Sequence, residues 1–519
     1  MKIKVGLVAP SPGWEQLLAQ EGIPYSILDA HDWEDIANYS VLAVNRTLSD
    51  HEKEIAGGYL KKGGAVIGST EHLLHVCGID GTEQRIEYIT SNHEDVFPSI
   101  RLLDVGVTGL IPRGANCCRT NDNTFAIAVE ELGSGYAVVM PFDAGALLND
   151  PRPASKNFYF TTDRLPSERV SLVAKGEVWH LVHAALQHLH HIRNIPYFHL
   201  WYFPADQRNV FAFRIDSDGA SRQDIDKLYH MGLEHDIAMS WYLDVKSHEE
   251  WLDHFRYFVG QEIGLHCYEH QTYPTYAANQ KNISKGLHEM HRVGLDPSGF
   301  TAPYGRWNSH LAKAIDDAGF EYSSEFSFAY DTLPITPATA EHKFVSLQIP
   351  IHPICIGSLA KAGFSDARMF EYFVTVTNWK LSRNEPLFFY HHPSHRHWDA
   401  VSWLLNLKPK GIESMTFGEY ARWWKRRLGF NYDLDYDGSN LTIQTAHDKV
   451  PDDVYIRIAN PRGDEAILPI AKRIELASVL RWEVREKPAV PPGDIRRARE
   501  FDPRQMLGGM YDMLVRKFR

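Results

Sequence analysis

The order of apolar and polar positions divides the 519-residue chain into three regimes. In the first, short apolar runs alternate with amphipathic stretches: a strand over 2–9, a helix over 13–21 and a strand over 25–28. Ser40-Val-Leu-Ala-Val44, a helix opened by the Ser49-Asp-His-Glu52 capping box, and Ala65-Val-Ile-Gly68 continue the alternation. Such a series predicts a doubly wound α/β unit. Residues 124–131 and 136–141, on either side of Gly133-Ser-Gly135, read as a hairpin. A helix over 175–194 carries His180, His183, His188, His190 and His191. His180 shares a face with His183, and His188 with His191, but no carboxylate or cysteine completes a metal site there, so the helix reads as solvated or interdomain. The aromatic, proline-interrupted stretch 195–204 reads as the interdomain connector.

From Val210 to Trp424 strand and helix alternate, with strands at 210–216, 238–243, 262–266, 298–302, 321–326, 345–351 and 386–391. Helical stretches fall at 222–235, 248–260, 276–293, 308–319 and 367–382. Seven such units predict a parallel barrel one short of eight. Beyond Trp424 the pattern becomes antiparallel, with a hairpin around Asp437-Gly438 and strands at 454–458, 465–469 and 474–484, a small β-sandwich. Its functional reading is carbohydrate binding, and packing against the barrel is at least as strong a reading. After a proline-rich break at 488–492, a terminal helix carries Leu507, Met510, Tyr511, Leu514 and Phe518 on one side, with Arg504, Arg516, Lys517 and Arg519 elsewhere. That pattern suits peripheral contact with an anionic membrane or docking on protein, and docking is the preferred reading. The expected domains are thus 1–165 (α/β accessory), 166–209 (helix and connector), 210–428 (barrel), 429–487 (small β domain) and 488–519 (linker and terminal helix).

The length exceeds that at which one core stops growing, which agrees with several domains. A net charge of −12 argues against a nucleic-acid binder. The first ten residues lack the uninterrupted apolar region of a secretory signal, and no run is long enough for a membrane helix. Five scattered cysteines (Cys77, Cys117, Cys118, Cys267, Cys355) suit reduced thiols in the cytoplasm, and buried or idle roles are expected for the adjacent pair Cys117 and Cys118.

Four apolar runs stop at residues that bind metals or move protons: Val210-Phe-Ala-Phe-Arg-Ile-Asp-Ser-Asp-Gly219, Glu262-Ile-Gly-Leu-His-Cys-Tyr-Glu-His270, Gly299-Phe-Thr-Ala-Pro-Tyr-Gly-Arg306 and Pro386-Leu-Phe-Phe-Tyr-His-His-Pro393. In a parallel barrel the carboxyl ends of the strands share one face, so these residues are expected to converge.

Their order resembles the polysaccharide deacetylase family, the NodB-homology group of carbohydrate esterases, over about 210–424. The resemblance implies a distorted barrel in which Asp216 is the base, Asp218, His266 and His270 bind a divalent metal, and His392, placed before proline, is the acid. It also implies an oxyanion donor in the backbone N–H of Tyr304. Two imidazoles and one carboxylate leave coordination positions open, as in catalytic zinc sites, although cobalt, nickel, manganese or iron is also compatible. A base and an acid flanking such a site are hydrolytic equipment. The implied reaction is removal of an N-acetyl group from an acetamido sugar of a polysaccharide or its intracellular precursor. Two other readings are hydrolysis of another carbon–nitrogen bond, such as a cyclic amide or imide, and a carbohydrate binder with a vestigial site. His391 is expected to face the other way and serve structure. Trp307, Arg306 and His352 are candidate substrate contacts.

One position departs from the family pattern. Where the third motif usually starts with an arginine that orients the catalytic aspartate, this chain has Thr301, whereas Arg214 stands two residues before Asp216, where threonine is common. Period-two alternation turns Arg214 and Asp216 to the same side, so Arg214 is expected to hold Asp216 ionised, with Arg306 as the alternative.

The N-terminal region, in Leu48-Ser-Asp-His-Glu52 followed by Lys61-Lys62-Gly63-Gly64, resembles class I glutamine amidotransferase-like accessory domains. Ser69-Thr70 stand where an active amidotransferase needs a cysteine, so a non-catalytic scaffold or a glycan-contacting module is expected.

Overall fold

The computed structural model describes residues 1–91, 96–97, 99–339, 342–446, 449–484 and 489–495, with single positions at 498, 503, 507, 510, 511 and 514. The predicted terminal helix falls largely outside these residues. Among those described, no helix is long and apolar enough to cross a membrane. The chain is α/β and forms two compact units.

The first unit comprises Met1–Asp150, Val173–Asp206 and Lys425–Lys487. Its main sheet has nine strands. Tyr25–Ile27, Val5–Leu7, Val41–Val44, Ala65–Ser69 and Gly135–Met140 run parallel in that order, and the sheet continues antiparallel through Phe125–Leu132. Val41–Val44 and Ala65–Ser69 are wholly buried, as expected of parallel strands covered on both faces. Ser49 and Glu52 form the capping box of helix Asp50–Lys61, satisfying two backbone donors at its start. Two long strands, Gly81–Thr90 and Leu103–Pro112, extend the sheet where the sequence pattern gave no strand. Ser69 has φ −80°, an ordinary extended value, and its side chain caps helix Thr70–Cys77, so this turn lacks the strained geometry of a nucleophile elbow.

The same unit corrects the expected division in two places. The predicted connector supplies a buried strand, Tyr197–Leu200, which pairs antiparallel with Tyr455–Ala459. That sheet and a second one, built on the hairpin Asp433–Tyr436 and Asn440–Gln444, share a core of Ile3, Phe198, Leu434, Leu441, Ile456 and Ile458. Residues 429–487 therefore do not close a core of their own: their apolar faces are covered partly by the chain's first residues and by the supposed linker. Gly438, φ +101°, makes the tight hairpin turn as predicted.

The second unit comprises Pro151–Leu172, Gln207–Trp424 and Pro488–Arg519. Its seven parallel strands lie in the order Leu347–Gln348, Tyr322–Ser323, Gly299–Phe300, Glu262–Cys267, Met239–Asp244, Val210–Asp216 and Leu387–His391. Chain order is thus preserved around a curled sheet, and His352 N–H donates to Phe388 O at 2.9 Å across the seam between the outer two. Glu413–Ser414 adds an eighth short strand beside the start of Val210–Asp216. The fourth to sixth strands shrink to two residues each. Pro303 and Pro350 follow closely after two of them and cannot donate to a ladder, and the Gln348 side chain takes the Glu325 N–H in place of a strand neighbour. Helices Arg222–Glu234, Tyr276–Arg292, Ser309–Asp317 and Asp366–Ser382 lie where the periodicity puts them. Residues 248–260, read as one helix, instead form a 3-10 stretch over Glu249–Tyr257, broken at Trp251 by non-helical dihedrals.

Candidate active site

Strand Val210–Asp216 is buried from end to end and presents its two faces to different surroundings. Phe211, Phe213 and Ile215 enter the apolar core beneath the helices, whereas Arg214 and Asp216 point to the other side. Arg214 donates from Nε to Asp216 Oδ1 and from Nη2 to Asp216 Oδ2, each at 2.7 Å. Its Nη1 donates to Ser324 O at 2.7 Å and to Ser324 Oγ at 3.2 Å, and the rings of Tyr242 and Tyr390 lie 5.7 and 5.6 Å from the guanidinium. These contacts make a buried guanidinium tolerable. Burial would raise the Asp216 carboxyl, but Arg214, assisted by the nearby His266 and His392, holds it down at about 2. Arg306 is exposed and lies over the Tyr304 ring at 5.2 Å.

Asp218 follows the strand, just before Gly219 with φ +66°, and faces the two histidines of the third strand end. His266 Nε2 is 3.8 Å from Asp218 Oδ1, and His270 Nε2 is 3.6 Å from Asp218 Oδ2. One ligand atom from each of the three residues falls within 4.8 Å of the others. Asp218 Oδ1 is buried without a hydrogen-bond donor among the described residues. An ionised oxygen left so is costly unless a cation completes it. His266 Nδ1 lies 2.9 Å from Thr301 Oγ1, a partner able to accept a hydrogen bond from it, and Nε2 is the nitrogen that faces Asp218. Burial lowers His266 to about 4, so the ring is neutral, as a ligand must be. The donor set therefore fits a divalent cation.

His392 completes the ring of charge, with Nε2 3.7 Å from Asp218 Oδ1 and 4.0 Å from Asp216 Oδ2. Burial lowers its affinity for a proton, but Asp218, the Cys355 sulfur and Asp216 together raise it to about 9. His391 is fully buried on the opposite side of the strand, stacked on Phe213 with ring centroids 6.5 Å apart, and burial makes it neutral. Tyr304 sits in a 3-10 turn, Pro303–Gly305, in left-handed geometry (φ 60°) that a side-chain-bearing residue rarely adopts. The first N–H groups of such a turn have no partner within it.

Asp216, Asp218, His266, His270, Tyr304 and His392 all line one cavity of about 400 Å³. None of the three predicted substrate contacts, Arg306, Trp307 and His352, is among its lining residues. Trp307 is buried against Phe328 and Phe344, because its backbone N–H is drawn to Ser327 Oγ at 2.7 Å. His352 is buried between Asp331, 3.1 Å from Nδ1, and the Tyr372 hydroxyl, 2.7 Å from Nε2, a satisfied structural histidine. Glu168, Tyr390, Cys355 and His395 do line the cavity and escaped the sequence reading. The strand-end argument that selected His352 pointed to the right loop, three residues short of Cys355, and His395 stands one turn after His392 in His392-Pro-Ser-His395.

The histidine-rich helix Lys175–His191 has a partner that its own sequence does not contain. Glu21 accepts from His183 Nδ1 at 2.8 Å, from Tyr197 at 2.8 Å, from Tyr202 at 3.1 Å and from Trp179 Nε1 at 3.2 Å, with His199 3.9 Å away. A carboxylate therefore does meet these histidines, contrary to the expectation. Its oxygens are filled by protein donors, which makes it a buried polar hub of the first unit.

No protein-family model and no curated protein matches the chain. Solved structures that match it are polysaccharide deacetylases and family 4 carbohydrate esterases, the family that the ordered motifs resemble, together with an allantoinase. A protein assigned as a polysaccharide deacetylase from Mycobacterium smegmatis is 16% identical, over 43% of this chain and 93% of that one, with a TM-score of 0.38. One from Pseudomonas aeruginosa PAO1 is 15% identical over 43% and 92%, with a TM-score of 0.37, and Puue allantoinase is 15% identical over 43% and 93%, also at 0.37. The functional argument therefore rests on the site's own geometry.

Proposed function

We propose that this chain is a metal-dependent hydrolase that removes an N-acetyl group from an acetamido sugar of a polysaccharide or its precursor. The observation that carries the reading is one cavity holding Asp216 fixed by Arg214, His392 within 4.0 Å of it, and beside both the Asp218, His266 and His270 donor set. Asp218, His266 and His270 would hold the cation, zinc foremost, with cobalt, nickel, manganese or iron as alternatives. Bound there, such a cation supplies Lewis acidity toward water and an acyl oxygen.

The residues of the chain supply the rest. Asp216, kept ionised by Arg214, accepts the proton of the attacking water. The Tyr304 N–H faces the negative charge that develops on the acyl oxygen. His392 gives its proton to the departing amine, since an amine expelled without one is a poor leaving group. Aromatic faces of Tyr304, Tyr390 and Phe326 on the cavity wall suit a sugar ring. The first unit acts in this reading as a non-catalytic scaffold or glycan-contacting module.

Metal analysis of the purified protein, combined with an acetate-release screen on acetylated sugars, nucleotide sugars and oligosaccharides, tests the proposal. Release of acetate in proportion to bound metal is expected. Ammonia or a ring-opened acid in place of acetate would overturn it in favour of another carbon–nitrogen bond.

A further inference from the structure

The cavity contains a second group of metal-binding side chains, distinct in chemistry from the first. Cys355, His392 and His395 each offer one ligand atom, and these atoms lie within 4.8 Å of one another. Cys355 is 3% exposed, and the rings of His392 and His395 have centroids 4.7 Å apart. The Nδ1 atoms of both histidines are buried without a hydrogen-bond partner among the described residues. Three converging donors, with an Nδ1 on each imidazole that no group outside this cluster satisfies, are a costly arrangement for structure alone. The backbone makes room for it: a Cβ on Gly357 would come 2.1 Å from His395 Nδ1, so only glycine there lets the imidazole lie over the chain beside Cys355.

The two donor sets differ in softness. Asp218, His266 and His270 present one carboxylate and two imidazoles, whereas Cys355, His392 and His395 present one sulfur and two imidazoles. A thiolate selects borderline and soft cations such as Zn²⁺, Co²⁺ and Cd²⁺ over Mg²⁺ or Ca²⁺. Binding needs Cys355 as the thiolate and both imidazoles neutral, so whichever protons these groups carry, that of His392 included, leave to solvent, and no redox step is involved. His392 belongs to the second set and is also the proposed acid of the first.

We propose that Cys355, His392 and His395 form a second, inhibitory site for a soft divalent cation, which on binding takes His392 away from proton transfer. The inhibitory half rests on the deacetylase reading; the binding half does not.

The experiment titrates Co²⁺ into full-length protein already carrying one equivalent of Zn²⁺. A thiolate-to-cobalt charge-transfer absorption should rise and saturate at one further equivalent, and acetate release should fall with the same concentration dependence. In Cys355→Ser the band should be absent, and activity, taken relative to that variant's own rate before cobalt, should no longer fall. His395→Ala should weaken cobalt binding by at least about tenfold. A missing band in the wild type, or one that survives Cys355→Ser, overturns the site. A band that forms without loss of activity overturns the sharing of His392. A chain that binds cobalt through Cys355 yet releases no acetate from any substrate would instead count against the deacetylase reading while leaving the site standing.

Discussion

Arg214 and Asp216, two residues apart on one strand, form a two-pronged pair at 2.7 Å for each hydrogen bond, and both are almost fully buried. Thr301, at the position where the motif pattern leads one to look for that arginine, meets His266 instead. Arg214 contacts Asp216 and Thr301 contacts His266, the contacts expected if arginine and threonine have exchanged places relative to the motif pattern. The arrangement gives Asp216 a fixed orientation and a low proton affinity, and it gives His266 Nδ1 a hydrogen-bond partner.

Arg214→Met removes the group that holds the Asp216 carboxyl down at about 2. A base works only when ionised, so its activity is lost as pH falls through its pKa, and raising that pKa moves the acidic limb of the pH–rate profile upward. Bound metal should be unchanged. Because a buried charge then loses its partner, a stability loss of about 3–5 kcal/mol is also expected. A wild-type profile in Arg214→Met, with a shifted one in Arg306→Met, would transfer the role to Arg306.

Asp218→Ala, His266→Ala and His270→Ala should each lower metal content, whereas Asp216→Asn should keep the metal and lose turnover. Thr301→Val removes only the partner of His266 Nδ1, and a drop of about 10- to 100-fold in metal affinity is expected. Elemental analysis after dialysis against a chelator of graded strength separates these cases. Full metal content in the three alanine variants would remove the site.

His392→Ala should reduce turnover by about 10² to 10⁴, the usual contribution of a positioned proton donor. His391→Ala leaves a hole beside Phe213 and should cost stability rather than rate. Measuring kcat and thermal midpoint for both variants on one substrate distinguishes them, and a reversed ranking would mean that the strand register assumed for the acid is wrong.

How much of this was legible in the sequence depends on the range over which each residue acts. Arg214, Asp216 and Asp218 share one strand, so period-two alternation alone set Arg214 beside Asp216. Motifs ending apolar runs located Asp218, His266, His270 and His392 because a parallel sheet gathers its strand ends on one side. His352 and Trp307 also end or follow such runs, yet local partners, Asp331 with Tyr372 and Ser327, turn them into the packing. Glu21 reaches the histidine helix from about 160 residues away, and Cys355 reaches His392 from another loop. No local pattern announces contacts of that kind. The strand Tyr197–Leu200 was hidden for a related reason, since aromatic residues beside proline look like a linker until the partner strand Tyr455–Ala459 is known.

Glu21 supplies a prediction about pH and stability that is independent of the active site. Burial would raise its carboxyl, but the charges of His183 and His199 and the hydrogen bonds from His183 and Tyr197 hold it well below the usual carboxylate range. An acid depressed in this way stabilises the folded state fully above its unfolded pKa of about 4.3, and that contribution is lost as pH falls further. The first unit should therefore lose stability below about pH 4, with a slope of up to about 1.4 kcal/mol per pH unit from this group alone. Glu21→Gln cannot ionise, so it should be less stable at neutral pH, by about 3–5 kcal/mol, and should show a flatter acid limb. Hydrogen exchange of the amides in helix Lys175–His191, which carries His183 and Trp179, reports on this hub rather than on the barrel. Equal acid slopes in wild type and Glu21→Gln would mean that the hub contributes packing alone, and that its charge does not stabilise the fold.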